Sequence, residues 1–269
     1  MSADSQGLLS TTRIWLKKGT RLRSPVLIVG FPGLGKVGKI ALKHLARSLG
    51  FDLVGLLTSP CFSAHAIVTK DGSARLMRGE FYLKRLGSGQ DLLLLTGDEH
   101  YEDIEGEYEA SYKLLTFFKR KGGKMIITLG GHTSPSETPS AVFCFATTKD
   151  LLAKALSAGA VRAPTGTPIV GISGVLVGLA KLRKVPSLCL LGETLGLMPD
   201  FKAAKNVLTV LTKILGLVVD LTPLERGADS LTKVVKELER RYDALVQSPP
   251  IDKVVEESKG AGPGPDYVS

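Results

Sequence analysis

Cysteine and aromatic residues are scarce: three cysteines, one tryptophan and only 6% Phe, Trp and Tyr in 269 residues. Cys61, Cys144 and Cys189 are widely spaced and odd in number. That excludes a disulfide framework or a cysteine-only zinc site and points to a reducing, cytoplasmic setting. No window approaches the roughly 20 uninterrupted apolar residues that a membrane span needs. The richest stretch, 169–182, carries Gly and Ser inside and ends among Lys181, Arg183 and Lys184. The opening MSADSQGLLS has no basic segment followed by an apolar one, so no secretion signal is expected. Acidic residues are also short, 26 against 35 Lys and Arg, for a net charge of +9. The basic residues are not interleaved with aromatics as a stacking platform for single strands requires, so the excess reads as a solvated face and nucleic acid is not the expected partner.

Present instead is an ordinary globular composition, 43% hydrophobic and 23% charged, at a length that suits one large α/β domain. Short apolar runs at 26–30, 53–58, 92–96, 125–129 and 188–191 are rich in Val, Ile and Leu and bounded by Gly, Ser or Pro. They predict buried strands. Helical patterns lie between them. Over 36–49, Val37, Ala41, Leu45 and Leu49 share a side, and over 102–121 Ile104, Tyr108, Tyr112, Leu115 and Phe118 recur at steps of three and four. The alternation predicts a mixed but mostly parallel central sheet covered on both faces, a three-layer sandwich. Around Asp71-Gly72, residues 65–85 alternate apolar and polar, which predicts an antiparallel hairpin extending that sheet. Three more helices are expected: 173–184, apolar nearly all round; 200–215, capped by Asp200 and stopped at Gly216; and 229–246, capped by Asp229. The last is amphipathic through Leu231, Val235, Leu238, Tyr242 and Leu245. Residues 1–247 are expected to form a single domain. From 248 to 269 seven of 22 residues are Gly or Pro, which predicts a flexible tail.

Gly30-Phe-Pro-Gly-Leu-Gly-Lys36 meets the first seven positions of a phosphate-binding loop, but Val37 stands where a Ser or Thr hydroxyl would hold Mg²⁺. Gly33, Gly35 and Gly38 also spell a dinucleotide fingerprint, yet Asp52 falls before the following strand, at its wrong end. The expected role of these glycines is steric: a tight strand-to-helix turn and a close approach of helix to sheet. No cofactor is expected. Opposite the apolar face of that helix, Lys36, Lys39, Lys43 and Arg47 fall within roughly 80°, either a solvated face or a docking stripe for an acidic partner.

Polar residues follow several strand ends, where open α/β sheets place ligands. Asp98, His100, His132 and Glu193 could converge there as an acid/base or metal set. Their spacings are long and match no helical ligand motif, so no metal is expected. If they did converge, the alternative function would be a small-molecule hydrolase or a nucleoside- or carboxylate-processing enzyme. No serine lies in a GxSxG elbow, and the cysteines lack a neighbouring His or basic activator.

GFPGLGKVGKIALKHL, GDEHYEDIEGEYE, Gly130-Gly131 and the long block GISGVLVGLAKLRKVPSLCLLGETLGLMPDFKAAKNVLTVLTKILGLVVDLTPL together resemble the proteasome assembly chaperone 2 family, in its archaeal branch. The resemblance spans about residues 20 to 225. It implies a fold similar to the purine nucleoside phosphorylase and hydrolase class without established enzymatic activity. It also implies a homo-oligomer that assembles, or docks on, the proteasome α-ring. Some archaeal members use a flexible C-terminal tail ending in hydrophobic residue, Tyr and any residue. Here Tyr267 is third from the end, Asp266 precedes it, and Val268 and Ser269 follow. Insertion into the α-ring would therefore fall to Tyr267, Val268 and Ser269 in a departed pattern.

Overall fold

In a computed structural model, residues 11–246 are described, apart from 88, 102 and 134–137; for 239 and 241–246 the helical backbone alone is described. The five expected strands are all present. They are β2 (Val26–Val29), β3 (Asp52–Thr58), β7 (Asp91–Gly97), β8 (Met125–Thr133) and β11 (Ser187–Thr194). Six further strands join them: β1 (Arg13–Leu16), β4 (Ala66–Val68), β5 (Ala74–Leu76), β6 (Gly79–Arg85), β9 (Val142–Ala146) and β10 (Val161–Arg162). Nine build one sheet in the order β1-β3-β6-β7-β2-β8-β11-β9-β10. β7, β2, β8 and β11 run parallel at its centre, while β1–β3, β3–β6, β6–β7 and β11–β9 are antiparallel. With β9 and β10 also parallel, four of the eight pairings run each way, so the sheet is evenly mixed and not mostly parallel.

Side chains of the central strands alternate between two cores. Val26, Ile28, Leu92 and Leu94 pack with α1 (Val37–Leu49), α3 (Lys149–Ser157) and α5 (Phe201–Leu215) on one face. Leu27, Val29, Leu93 and Leu95 pack with α2 (Ile104–Arg120) and α4 (Ile172–Leu182) on the other. This period of two on strands buried from both sides explains why their sequence reads as continuous apolar runs. Caps follow the sequence: Asp103 accepts from the Gly106 amide, Asp200 from the Ala203 amide, and Gly216 closes α5 in the left-handed region at φ 66°.

Three expectations fail. The hairpin around Gly72 forms, but β4 and β5 pair only with each other, as a separate ribbon. Both are three residues long with their outward positions exposed, so neither has an apolar face to lay on the core. The last helix, α6 (Thr222–Val246), starts about two turns before Asp229, where the Asp220 carboxylate accepts from the Thr222 amide. On α2 the expected face holds only in its second half: Leu115 and Phe118 are buried, but Ile104, Tyr108 and Tyr112 are exposed and Gly106, Ala110, Ser111 and Leu114 are buried in their place. The compact body runs to Glu225; residues from Arg226 onward form a second unit, helical as far as Val246. Among the described residues no helix is long and apolar enough to cross a membrane.

Candidate functional site

At the C-terminal ends of the parallel strands, the crevice in which such sheets hold ligands is filled by the chain itself. The glycine-rich turn after β2 is the filling piece. A methyl group on Gly38 would lie 2.4 Å from the Leu129 carbonyl oxygen, and one on Gly30 2.6 Å from the Gly38 carbonyl oxygen. Only glycine allows α1 to sit this close to β2 and β8. Beyond it, the Leu34 backbone lies over Gly131, where an added methyl would meet the Leu34 carbonyl at 2.4 Å. Gly35, at φ 59°, faces Thr194 and Asp200, and its carbonyl accepts from the Asp200 amide at 2.7 Å. Thr194 in turn donates to the Asp200 carboxylate at 2.7 Å.

The remaining motifs close around the same knot. Phe31 lies on Gly97, where a methyl would come within 2.2 Å of its ring, and packs with Phe62 and Tyr101 in a buried aromatic cluster with ring centroids 4.6–6.2 Å apart. The Ser173 carbonyl accepts from Thr128 at 3.0 Å, which pins the start of α4 beside Gly130. Motifs remote in sequence are therefore one packed unit, and Gly30, Gly35 and Gly38 play the steric role expected of them, whereas nothing lies within 4 Å of a methyl added at Gly33. What this unit shows to solvent is apolar: Leu34, Leu195, Leu197 and Met198 are exposed on it, Leu197 by 90%.

The four polar residues expected at this rim do not assemble there. The Asp98 carboxylate takes both guanidinium nitrogens of Arg75, at 2.5 and 3.0 Å, and the Arg78 amide at 3.1 Å, so it ties the β4–β5 ribbon to the end of β7. Burial pushes its pKa up, but Arg75 and the amide outweigh that and hold it below the ordinary value. Glu193 accepts from the Ser140 and Ala141 amides at 2.9 and 3.0 Å, fixing the approach to β9. His132 is the register neighbour of Glu193 and meets the Phe143 ring edge-on. His100 is exposed. Among the described residues no three His, Cys, Asp or Glu side chains are grouped to hold a metal ion. Burial raises all three thiols, Cys189 to about 12, which leaves them protonated and poor nucleophiles.

The basic stripe of α1 is also partly occupied. Lys39 donates to the Asp98 carbonyl at 2.9 Å, and Lys43 reaches Glu80 at 3.3 Å and the Tyr82 hydroxyl at 3.2 Å. Only Lys36 and Arg47 of the four are exposed. Glu80 also accepts from Arg78 and Tyr82. Burial raises its pKa, yet these partners together bring it below the ordinary value. Because the folded pKa is the lower one, the stabilisation is complete above the ordinary carboxylate range of about 4 and is lost as pH falls through the folded value. Thermal melts should therefore hold level from pH 7 to about 5 and decline below about 4, and Glu80→Gln should flatten the decline. An unchanged acid slope in that variant would remove Glu80 from the account. The tail residues Tyr267, Val268 and Ser269, with the whole of 248–269, lie outside the described residues.

Comparison with known proteins follows this geometry closely. Residues 27–239 match the PAC2 family. Among solved structures the fold superposes on Pyrococcus furiosus PbaB, described as an archaeal proteasome activator, with a TM-score of 0.81 and 35% identity over 86% of this chain and 99% of that one. Pyrococcus furiosus PbaA, described as an archaeal homolog of proteasome-assembly chaperone, matches with a TM-score of 0.75 and 25% identity over 93% and 99% of the two chains. The uncharacterized protein MJ1210 of Methanocaldococcus jannaschii is 27% identical over 228 residues, 84% of this chain and 88% of its own.

Proposed function

The chain belongs to the PAC2 family, and from that premise we propose that it is a non-enzymatic, homo-oligomeric adaptor docking on the α-ring of an archaeal-type proteasome, in assembly or activation. The observation that carries the proposal is the likeness of the whole body to the activator PbaB. The rim supports it from the chemical side. Its glycine motifs are engaged in packing, and its carboxylates Asp98 and Glu193 hold backbone and ribbon in place, so both carboxylates of the expected acid/base set serve structure. Contact is assigned to the tail through Tyr267, Val268 and Ser269, with the exposed Lys36 and Arg47 of α1 as secondary points.

Self-association is assigned to α6. Leucine recurs every seventh residue at Leu224, Leu231, Leu238 and Leu245, with Ala228, Val235 and Tyr242 between them, the spacing of a coiled-coil seam. Leu224 is buried in the body, whereas along the seam of the second unit Leu231 and Val235 are half-buried and Leu238 is 57% exposed. A solvent-facing stripe of this kind is stabilised by a second helix. The direct test is co-elution of the full chain with reconstituted archaeal α-rings in size-exclusion chromatography. Association is the expected result, and two independent peaks at tens of micromolar would remove the proposal.

A further inference from the structure

A cleft of about 830 Å³ lies away from the strand rim, between the outermost strand β1 with its following turn and the C-terminal half of α2. Ile14, Leu16 and Phe117 contribute apolar walls, and Lys17, Lys18, Arg120 and Lys121 stand around them without any acidic side chain. All four cations are exposed, and none is in an ion pair with a described residue. Arg120 and Lys121 alone would be explained by the dipole of α2. Lys17 and Lys18 come from another element and have no such explanation.

The edge of β1 supplies the second half of the argument. Lys17 donates its amide inward to the Val54 carbonyl at 2.7 Å, so alternation turns the backbone groups of Thr12, Ile14 and Leu16 outward. Those of Thr12 are already taken by α2. Its amide donates to Glu109 at 3.2 Å, and its carbonyl accepts from Lys113 at 3.0 Å. Outside the β1–β3 ladder, no described group bonds the backbone of Ile14 or Leu16. Two side chains of α2 thus complete the edge at one end and leave it open where the cations gather.

From this juxtaposition we infer that the cleft binds an extended acidic peptide segment, which adds as a strand to β1 at Ile14 and Leu16. Alternate side chains of the segment enter the apolar floor, and its carboxylates meet Lys17, Lys18, Arg120 and Lys121. A single-stranded nucleic acid fits less well. Each of the two aromatic rings beside the cleft already carries a cation over one face, Arg183 over Tyr112 at 4.9 Å and Lys121 over Phe117 at 6.0 Å, which competes with the stacking of a base there. The site is remote from residues 248–269 in sequence, so it goes beyond the proposed docking by the tail.

Fluorescence anisotropy with the full chain and a labelled six-residue peptide alternating valine and glutamate tests the inference. Saturable binding is expected, weakened about tenfold by Arg120→Glu with Lys121→Glu and weakened further by salt. Methylation of alternate peptide amides should weaken it as well, because strand addition uses them. Melting curves of the double variant check that it is folded, and Lys17→Glu gives an independent reversal from the other wall. The inference is overturned by absence of binding, by equal binding of a valine–lysine peptide, by unchanged affinity in both variants, or by tighter binding of an oligothymidylate at the same residues.

Discussion

Gly38→Ala should lower the melting temperature of the body by roughly 6–12 °C, while Gly33→Ala leaves it nearly unchanged. The added methyl at position 38 would meet the Leu129 carbonyl at 2.4 Å and the Gly30 Cα at 3.1 Å. Both are backbone atoms of the central sheet, so no side-chain rotation relieves the clash, and β2, β8 and α1 must separate. Overpacking of this kind costs about 3 kcal/mol, and a body of this size loses about 2–4 °C per kcal/mol. At Gly33 nothing lies within 4 Å of the added methyl. A loop built to cradle phosphate would rank the two differently, since its early glycines approach the ligand. Thermal melts of both variants decide the matter. A stable Gly38→Ala protein beside an impaired Gly33→Ala one would overturn the packing role of the motif.

That outcome bears on how far the sequence could be read. The buried strands were legible because burial from both sides writes a continuous apolar run, and α5 was legible because Asp200 and Gly216 mark its ends. The face of α2 was misread for a physical reason. Periodicity gives weight to large residues such as Tyr108 and Tyr112, whereas the helix approaches the core through small ones. A methyl on Gly106 would come within 2.1 Å of Cys61, and Ala110 and Ser111 are buried beside it. β9 and α3 carry short segments, VFCFA and KDLLAKALS, whose pattern is too brief to separate strand from helix. At the rim, residue type suggested chemistry, but partners decide it. Nothing in the sequence places Arg75 against Asp98, or the amides of Ser140 and Ala141 against Glu193. The same holds for the α1 stripe, where Lys39 is drawn inward by the Asp98 carbonyl just after β7 and Lys43 by Glu80 and Tyr82 on β6. The basic cleft leaves no mark in the sequence because its cations come from two elements about a hundred residues apart.

The second large effect concerns avidity. Leu231→Asp with Leu238→Asp places carboxylates at two leucine layers of the α6 seam, on either side of Val235, where a paired helix would bury them unpaired. The double variant should elute at a lower mass, toward the 28.6 kDa of a single chain. The melting of the body should hold, since both positions lie in the second unit. Its tails remain intact, yet linked sites raise effective concentration, so separating them should weaken capture of the α-ring by about a hundredfold or more. Deleting 248–269 should make the complementary cut, keeping the oligomeric state and losing capture of the α-ring. The two variants separate the parts of the proposal. Full capture by the dissociated protein would show that one tail suffices and that α6 plays no part in grip. Full capture by the truncated oligomer would move the contact from the tail to the body, where the exposed apolar ridge of Leu34, Leu195, Leu197 and Met198 is the surface to mutate next.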